Sequence, residues 1–147
     1  MFERIYPMVL SVVVTAMALF WDISLKDFLN YKEIMSSAIS LGSIAVGFLA
    51  AAITLMPSLS NNELVKNLKS MGAYKKLLKY IISAIISLFC LSLISLLGLF
   101  INNNYEHFLV TYFQYLWVFI LVLSIMTTIR VISLFLKFLI YTQDGES

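Results

Sequence analysis

The stretch at residues 80–104, YIISAIISLFCLSLISLLGLFINNN, contains no charged residue. A helix needs roughly 20 mostly apolar residues to cross the hydrocarbon core of a bilayer, which is about 30 Å thick. The stretch is longer than this minimum, and the nearest charged residues are Lys79 before it and Glu106 after it. It therefore predicts one helix that crosses a membrane.

Three further uncharged stretches have the same character, at residues 5–21, 34–59 and 108–129. Hydrophobic residues make up 61% of the 147-residue chain and charged residues only 12%, and the mean hydropathy is +0.95. A soluble domain of this size has too little interior to bury so much apolar surface. The sequence therefore predicts an all-α integral membrane protein, a bundle of four transmembrane helices at about residues 5–21, 34–56, 78–101 and 108–129.

The first stretch is close to the lower limit of about 17 residues for a membrane span. Arg4 and Asp22 lie at its two ends, where their side chains can extend along the helix towards water. Ala16-Met17-Ala18 resembles a signal-peptidase site, but Glu3 and Pro7 disfavour cleavage there. We therefore expect this stretch to remain as a transmembrane span.

Lysine and arginine are distributed unevenly between the two sides of the predicted bundle. With the N-terminus in the cytoplasm, the outer loops contain only Lys26 and Lys32. The inner segments then contain Arg4, Lys66, Lys69, Lys75, Lys76, Lys79, Arg130 and Lys137. Because short loops rich in basic residues stay on the cytoplasmic side, we expect both termini in the cytoplasm and the chain in the bacterial inner membrane.

The segment at residues 57–77 is predicted to be a basic cytoplasmic loop. Ser60 and Glu63 have the spacing of a capping box, which predicts a short amphipathic helix on the membrane surface. After the last span, a cytoplasmic helical extension is predicted at residues 130–142. The basic residues can set the topology alone, attract anionic lipid, or dock an acidic or nucleic-acid-bound partner. The candidates for binding lipid or a partner are Lys66, Lys69, Lys75, Lys76, Lys79, Arg130 and Lys137.

Small and hydroxyl side chains are concentrated in the second span. Ser43, Gly47 and Ala51 follow one another at intervals of four residues, a spacing that allows two helices to approach closely. Two interpretations stay open: packing of helices, within one chain or between copies, and a narrow path for ions lined by hydroxyl groups. The candidate packing or pore-lining residues are Ser36, Ser40, Ser43, Gly47, Ala51, Thr54 and, in the fourth span, Gln114.

Residues that carry catalysis or bind metals are scarce. The chain has one cysteine, Cys90, and one histidine, His107, so an intramolecular disulfide and a metal site rich in Cys and His are excluded. We expect Cys90 to be a small buried side chain. No carboxylate lies inside a predicted span, whereas ion-coupled transporters usually contain intramembrane acids. The sequence therefore favours a channel, a sensor or an anchor over an enzyme, with no cofactor.

The chain also resembles a known family over most of its length. Arg4, Ile5 and Pro7 open the first span, and a Ser/Gly/Ala-rich second span follows. The other residues that carry the resemblance are Ala51, Ala52, Ile53, Thr54, Leu55, Leu64, Lys69, Gly72 and Tyr74. This pattern is similar to the RexB-like proteins, the membrane component of the Rex exclusion system of lambdoid phages, although the inner loop is rich in arginine there. The layout is also similar to the small membrane partner of the Kiwa antiphage system.

The resemblance implies a four-span membrane effector of antiphage defence. In such a protein an ion channel opens when a cytoplasmic sensor protein detects infection, and depolarisation aborts the infection. Since four spans cannot enclose a water-filled pore alone, we expect a homo-oligomer. The alternative is a non-conducting sensor or anchor that binds a soluble cytoplasmic partner through its basic loop. The expected partners are the lipid bilayer, further copies of the chain and the sensor, without direct binding of nucleic acid.

Overall fold

The computed structural model describes residues 2–21, 30–58, 73–100 and 108–143, with side-chain contacts for 5–21, 30–54, 74–100 and 110–136. Within these residues the chain forms helices only. Its four helices are α1 (Phe2–Phe20), α2 (Tyr31–Ser58), α3 (Ala73–Phe100) and α4 (Phe108–Gln143). The prediction of an all-α fold is therefore confirmed for this part of the chain. The amphipathic helix predicted between the second and third spans falls on residues 59–72, outside the described residues.

Three of the helices contain apolar segments long enough to cross a membrane, namely Tyr31–Thr54, Tyr74–Phe100 and Val110–Leu136. At 1.5 Å per residue, even the shortest of them, with 24 residues, extends about 36 Å and exceeds the hydrocarbon thickness. The apolar segment of α1, Ile5–Phe20, is shorter. By length and composition, three of the helices could therefore cross a membrane. The apolar segment of α1 is near the lower limit of length for a membrane span.

Two of the helices extend beyond the predicted spans. α2 runs to Ser58 and includes Pro57, so it continues past the span predicted at 34–56. α4 is continuous over its 36 residues, so the extension predicted at 130–142 belongs to the same helix as the fourth span. Its apolar segment also continues past Arg130 to Leu136.

The helices pack in the spatial order α2, α3, α4, α1. Extensive contacts join α2 to α3, α3 to α4, and α4 to α1, whereas the contacts of α1 with α2 are marginal. α3 is therefore an interior helix of the row, and α2 is a terminal one. As a consequence, α2 has one packed face and one face without a neighbour among the described helices.

Two apolar clusters lie along α3. In one, Leu77, Ile81, Leu88 and their neighbours on α3 pack against Leu49 of α2 and Val131 of α4. In the other, Tyr31, Met35 and Ala38 of α2 pack with Leu91 of α3 and Trp117 of α4. Because α2 begins beside the end of α3, the two helices are antiparallel.

α2 approaches α3 closely at Gly42. A Cβ atom at this position would collide with the Ser92 hydroxyl and lie 3.2 Å from the backbone carbonyl oxygen of Leu88. A side chain at residue 42 would therefore require the Ser92 hydroxyl to turn away and α3 to shift slightly. Close backbone approach at small residues is the usual source of van der Waals attraction between membrane helices.

Two polar contacts join α3 to α4. Trp117 Nε1 donates a hydrogen bond of 2.8 Å to Ser95 Oγ. The Ser87 and Thr127 hydroxyl oxygens are 2.8 Å apart, and each also lies within reach of a carbonyl of its own helix, Ala84 for Ser87 and Ser124 for Thr127. One hydroxyl can thus donate across the helices while the other donates to its own backbone. Such bonds add about 0.6 kcal/mol each in a membrane protein and fix which faces meet.

Gly42→Leu and Gly47→Leu form a matched pair for testing the α2–α3 contact, because the same substitution is made five residues apart in one helix. We expect Gly42→Leu to lower the free energy of unfolding by about 1–3 kcal/mol through overpacking. At Gly47 an added Cβ meets no atom within 4 Å, so the change should stay within about 0.5 kcal/mol. Unfolding of the monomer in detergent, followed by circular dichroism, measures both. Equal losses would contradict the contact at Gly42.

Candidate functional site

The six candidate residues of the second span all lie on one exposed side of α2. The opposite side, with Tyr31, Met35, Ala38, Gly42 and Leu49, is buried against the other helices. At 100° per residue, the candidates lie on the far side of α2 from these buried positions. We name this surface the small-residue face of α2, formed by Ser36, Ser40, Ser43, Gly47, Ala51 and Thr54. Packing within the chain therefore leaves this face open.

Two hydroxyl groups on the small-residue face have their hydrogens directed at the backbone. Ser40 Oγ donates to the Ser36 carbonyl at 3.1 Å, and Thr54 Oγ1 donates to the Ala51 carbonyl at 2.8 Å. Such bonds within a helix make a hydroxyl tolerable in an apolar medium. They also leave the lone pairs of the hydroxyl oxygen available on the outer side. The face can therefore contact lipid, a second helix or a cation.

The small-residue face is bordered by large apolar side chains. Ile44 and Phe48 are each 74% exposed, and Leu41 is 55% exposed. Beside them Gly47 has open space around its Cβ position. A shallow groove of small residues beside large side chains allows a second helix to pack closely against it.

Gln114 was predicted to belong with these residues, but the structure does not bring it to the small-residue face. It lies in α4 and is only 3% exposed. Among the described residues, no atom forms a hydrogen bond with its side-chain Nε2. An amide that stays unpaired in an apolar interior costs about 1–3 kcal/mol.

The predicted basic residues divide into two groups. Lys75, Lys76 and Lys79 are exposed near the start of α3, and Arg130 of α4 is half-buried with its guanidinium carbon 3.9 Å from the centre of the Tyr80 ring. The side chains of Lys66, Lys69 and Lys137 lie outside the described residues. The structure therefore brings Arg130 close to the lysine-rich start of α3, which the sequence had placed in a separate region.

Cys90 is not buried as expected. It is exposed on α3, on a side that no other described helix covers. An exposed position in an apolar helix is still shielded from water when lipid surrounds it. The expectation of burial was wrong for packing within the chain, because one apolar helix in a row of four keeps part of its surface outside.

Several residues that determine how the helices pack are hard to recognise from the sequence. Gly42 and Gly47 are both glycines of the second span, and nothing in their immediate neighbours distinguishes the packed one from the open one. Tyr80 follows Lys76 by four residues, the spacing at which helical side chains meet, but its contact with Arg130 joins residues 50 positions apart. Contacts of this kind require the tertiary arrangement.

The small-residue face carries small side chains and hydroxyl groups, which suit close packing and weak polar contact. Within the described residues, no three His, Cys, Asp or Glu side chains come together to hold a metal ion. A comparison of the chain with known protein families, curated proteins and solved structures found no match. The interpretation of the site therefore depends on its geometry and on the resemblance in its sequence.

Gln114→Leu and Ser95→Ala should change stability in opposite directions. The first substitution replaces an unpaired buried amide with an apolar side chain, so we expect the free energy of unfolding to rise by about 1–3 kcal/mol. The second removes the acceptor of the Trp117 indole N–H, so we expect a fall of about 1–2 kcal/mol. Denaturant titration in detergent measures both. A loss of stability in Gln114→Leu would show that the amide has a partner that stabilises the fold.

Proposed function

We propose that the chain is an integral membrane protein that forms homo-oligomers through the small-residue face of α2 and conducts ions. The proposal includes four membrane spans, both termini in the cytoplasm and insertion into the bacterial inner membrane. The observation that carries it is the exposure of the small-residue face on a helix that is otherwise apolar. The resemblance to RexB-like proteins supports a role as an effector of antiphage defence that depolarises the membrane on infection.

The need for several copies follows from the packing of one chain. The described helices form a row, and a row of helices encloses no interior of its own through which water or ions could pass. In lipid, apolar surfaces gain nothing by meeting one another, and helices associate through close packing and polar contacts instead. The small-residue face offers both, and as a terminal helix of the row α2 can present it to a neighbouring copy.

The same face supplies ligands of the kind that a partly hydrated cation accepts. The hydroxyl oxygens of Ser40 and Thr54 donate inwards to the backbone, which turns their lone pairs outwards. When several copies surround one axis, such oxygens form rings along the path. Rings of weak oxygen ligands let an ion enter and leave without being trapped.

Flux through liposomes tests the proposal. Potassium efflux should exceed that of empty liposomes for the wild type and be lost in Ser43→Leu and Gly47→Leu, because a larger side chain separates the small-residue faces. Ser83→Leu makes the same serine-to-leucine change at an exposed position of α3, so efflux should persist. Cross-linking and light scattering should show a smaller oligomer in the two α2 variants only.

Glu33 offers a separate test of ion preference. It is exposed in the first turn of α2 and precedes Ser36 by three residues, so it stands at one end of the small-residue face. A ring of carboxylates at a pore mouth favours cations. We expect Glu33→Gln to lower the potassium-to-chloride permeability ratio, measured from reversal potentials in planar bilayers. The control Lys32→Gln should not lower the ratio, and unchanged selectivity in Glu33→Gln would contradict this placement of the mouth.

The alternative function, a non-conducting anchor, predicts a different pattern. Stable oligomers without flux, in protein of correct orientation, would favour it. Replacement of Lys66, Lys69, Lys75 and Lys76 by Gln should then release a soluble partner that copurifies with the wild type. The exposure of Lys75 and Lys76 favours this alternative, because exposed charges are accessible to a partner.

A further inference from the structure

Two polar contacts set the alignment of α4 along α3. Trp117 Nε1 donates to Ser95 Oγ at 2.8 Å, and the Thr127 and Ser87 hydroxyl oxygens are 2.8 Å apart. The two partners on α4, Trp117 and Thr127, are ten positions apart in the sequence. We name this alignment of the two helices the described register.

α4 carries a second set of polar side chains with the same spacing. Gln114 and Ser124 are also ten positions apart, and they stand three positions before Trp117 and Thr127. Both are buried, with exposed fractions of 3% and 0%. No atom of the described residues forms a hydrogen bond with Gln114 Nε2, and Ser124 Oγ donates to the Leu121 carbonyl of its own helix. In the described register, the described side chains of this second set therefore make no hydrogen bond to α3.

A shift of α4 by three residues towards its own C-terminal end exchanges the two sets. Three residues correspond to a translation of about 4.5 Å and a rotation of about 60°. Gln114 then takes the place of Trp117 opposite Ser95. In the same movement Ser124 takes the place of Thr127. The indole and amide N–H donors are separated from Cα by the same number of bonds, so the amide can reach the acceptor that the indole leaves. We name this alignment the shifted register.

The shift breaks few polar contacts. The Ser87 hydroxyl lies 2.9 Å from the Ala84 carbonyl oxygen of its own helix, and the Thr127 hydroxyl lies 3.0 Å from the Ser124 carbonyl oxygen. Each hydroxyl therefore keeps an acceptor when the pair separates. At Ser95 an amide N–H replaces an indole N–H, which leaves the number of hydrogen bonds at this serine unchanged.

The packed side chains favour the described register without excluding the shifted one. In the shifted register Thr128 takes the place of the buried Val131, which has the same shape, and the Thr128 hydroxyl already donates to the Ser124 carbonyl. The contact of the Arg130 guanidinium with the Tyr80 ring, at 3.9 Å, belongs to the described register. We therefore expect the described register to be the more populated of the two.

We propose that α3 and α4 interconvert between the described and the shifted register. α1 packs on α4, whereas the close approach at Gly42 joins α2 to α3. The shift therefore moves α4 and α1 together past α2 and α3. Displacement of one helix along another by about one turn is a known form of switching in proteins. The Gln114 amide biases this equilibrium, because it is buried without a partner in one register and paired in the other. The movement requires neither ion conduction nor a second copy.

Two cysteine pairs distinguish the registers in a chain whose own cysteine is replaced by Cys90→Ser. Ser87→Cys with Thr127→Cys brings two thiols together in the described register. Ser87→Cys with Ser124→Cys does so in the shifted register. The protein is oxidised in detergent, the remaining thiols are alkylated, and intact mass measures the initial rate of disulfide formation within the chain. We expect the second pair to react more slowly than the first, but measurably.

Substitution of either N–H donor should change the rate of the Ser124 pair, although both donors lie away from the cysteines. Trp117→Phe removes the donor of the described register, so the rate should rise about threefold, the factor for one hydrogen bond between membrane helices. Gln114→Leu removes the donor of the shifted register, so the rate should fall by about the same factor, and Gln114→Met should act alike. With Ser95→Ala the shared acceptor is absent, and both effects should disappear.

Three outcomes would overturn the shifted register. Rates unchanged in Trp117→Phe and Gln114→Leu would show local flexibility about one fixed alignment. Rates that rise in both would show general loosening of the helices. Val131 lies about one turn from Thr127 in the opposite direction, so Ser87→Cys with Val131→Cys is the control pair. An equal gain of this pair in Trp117→Phe would show sliding in both directions. Circular dichroism and the rate of the Thr127 pair confirm that each variant keeps its helices and their packing.

Discussion

The close approach of α2 and α3 at Gly42 is the contact on which the rest of the arrangement depends. An added Gly42 Cβ would lie 3.2 Å from the Leu88 carbonyl oxygen, and the same pair of helices joins Tyr31 and Met35 to Leu91 in the cluster that contains Trp117. Since apolar helices in lipid gain little from burying surface alone, such a contact decides which faces meet. Once Gly42 faces α3, the small-residue face of α2 has to point away from it.

A second constraint is that polar side chains buried between the helices need hydrogen-bond partners. The hydroxyls of Ser87 and Thr127 and the indole of Trp117 are paired across α3 and α4, which makes this interface specific. The Nε2 atom of Gln114, a buried residue of α4, lacks a described partner. A membrane interior magnifies the difference between paired and unpaired groups. The paired groups therefore make the contact of α3 with α4 specific.

The charged side chains differ between the two ends of the helices. Lysines gather at the start of α3, and Arg130 reaches them from α4 through its contact with Tyr80. At the other end of the helices, Lys32 and Glu33 are both exposed at the start of α2. A higher density of basic side chains at one end of the helices agrees with a membrane whose two surfaces differ in charge.

The sequence by itself determined the helical class and the approximate position of the apolar helices, because uncharged stretches of such length have few other stable structures in lipid. It also identified the small residues of α2, since their spacing is a local property. Only the tertiary structure decided that Gly42 is packed and Gly47 open, that Gln114 lies apart from the small-residue face, and that Arg130 meets Tyr80. Each of these depends on the rotation of one helix about its axis relative to another. Apolar residues on every side of these helices leave that rotation unspecified, and close packing with interhelical hydrogen bonds fixes it.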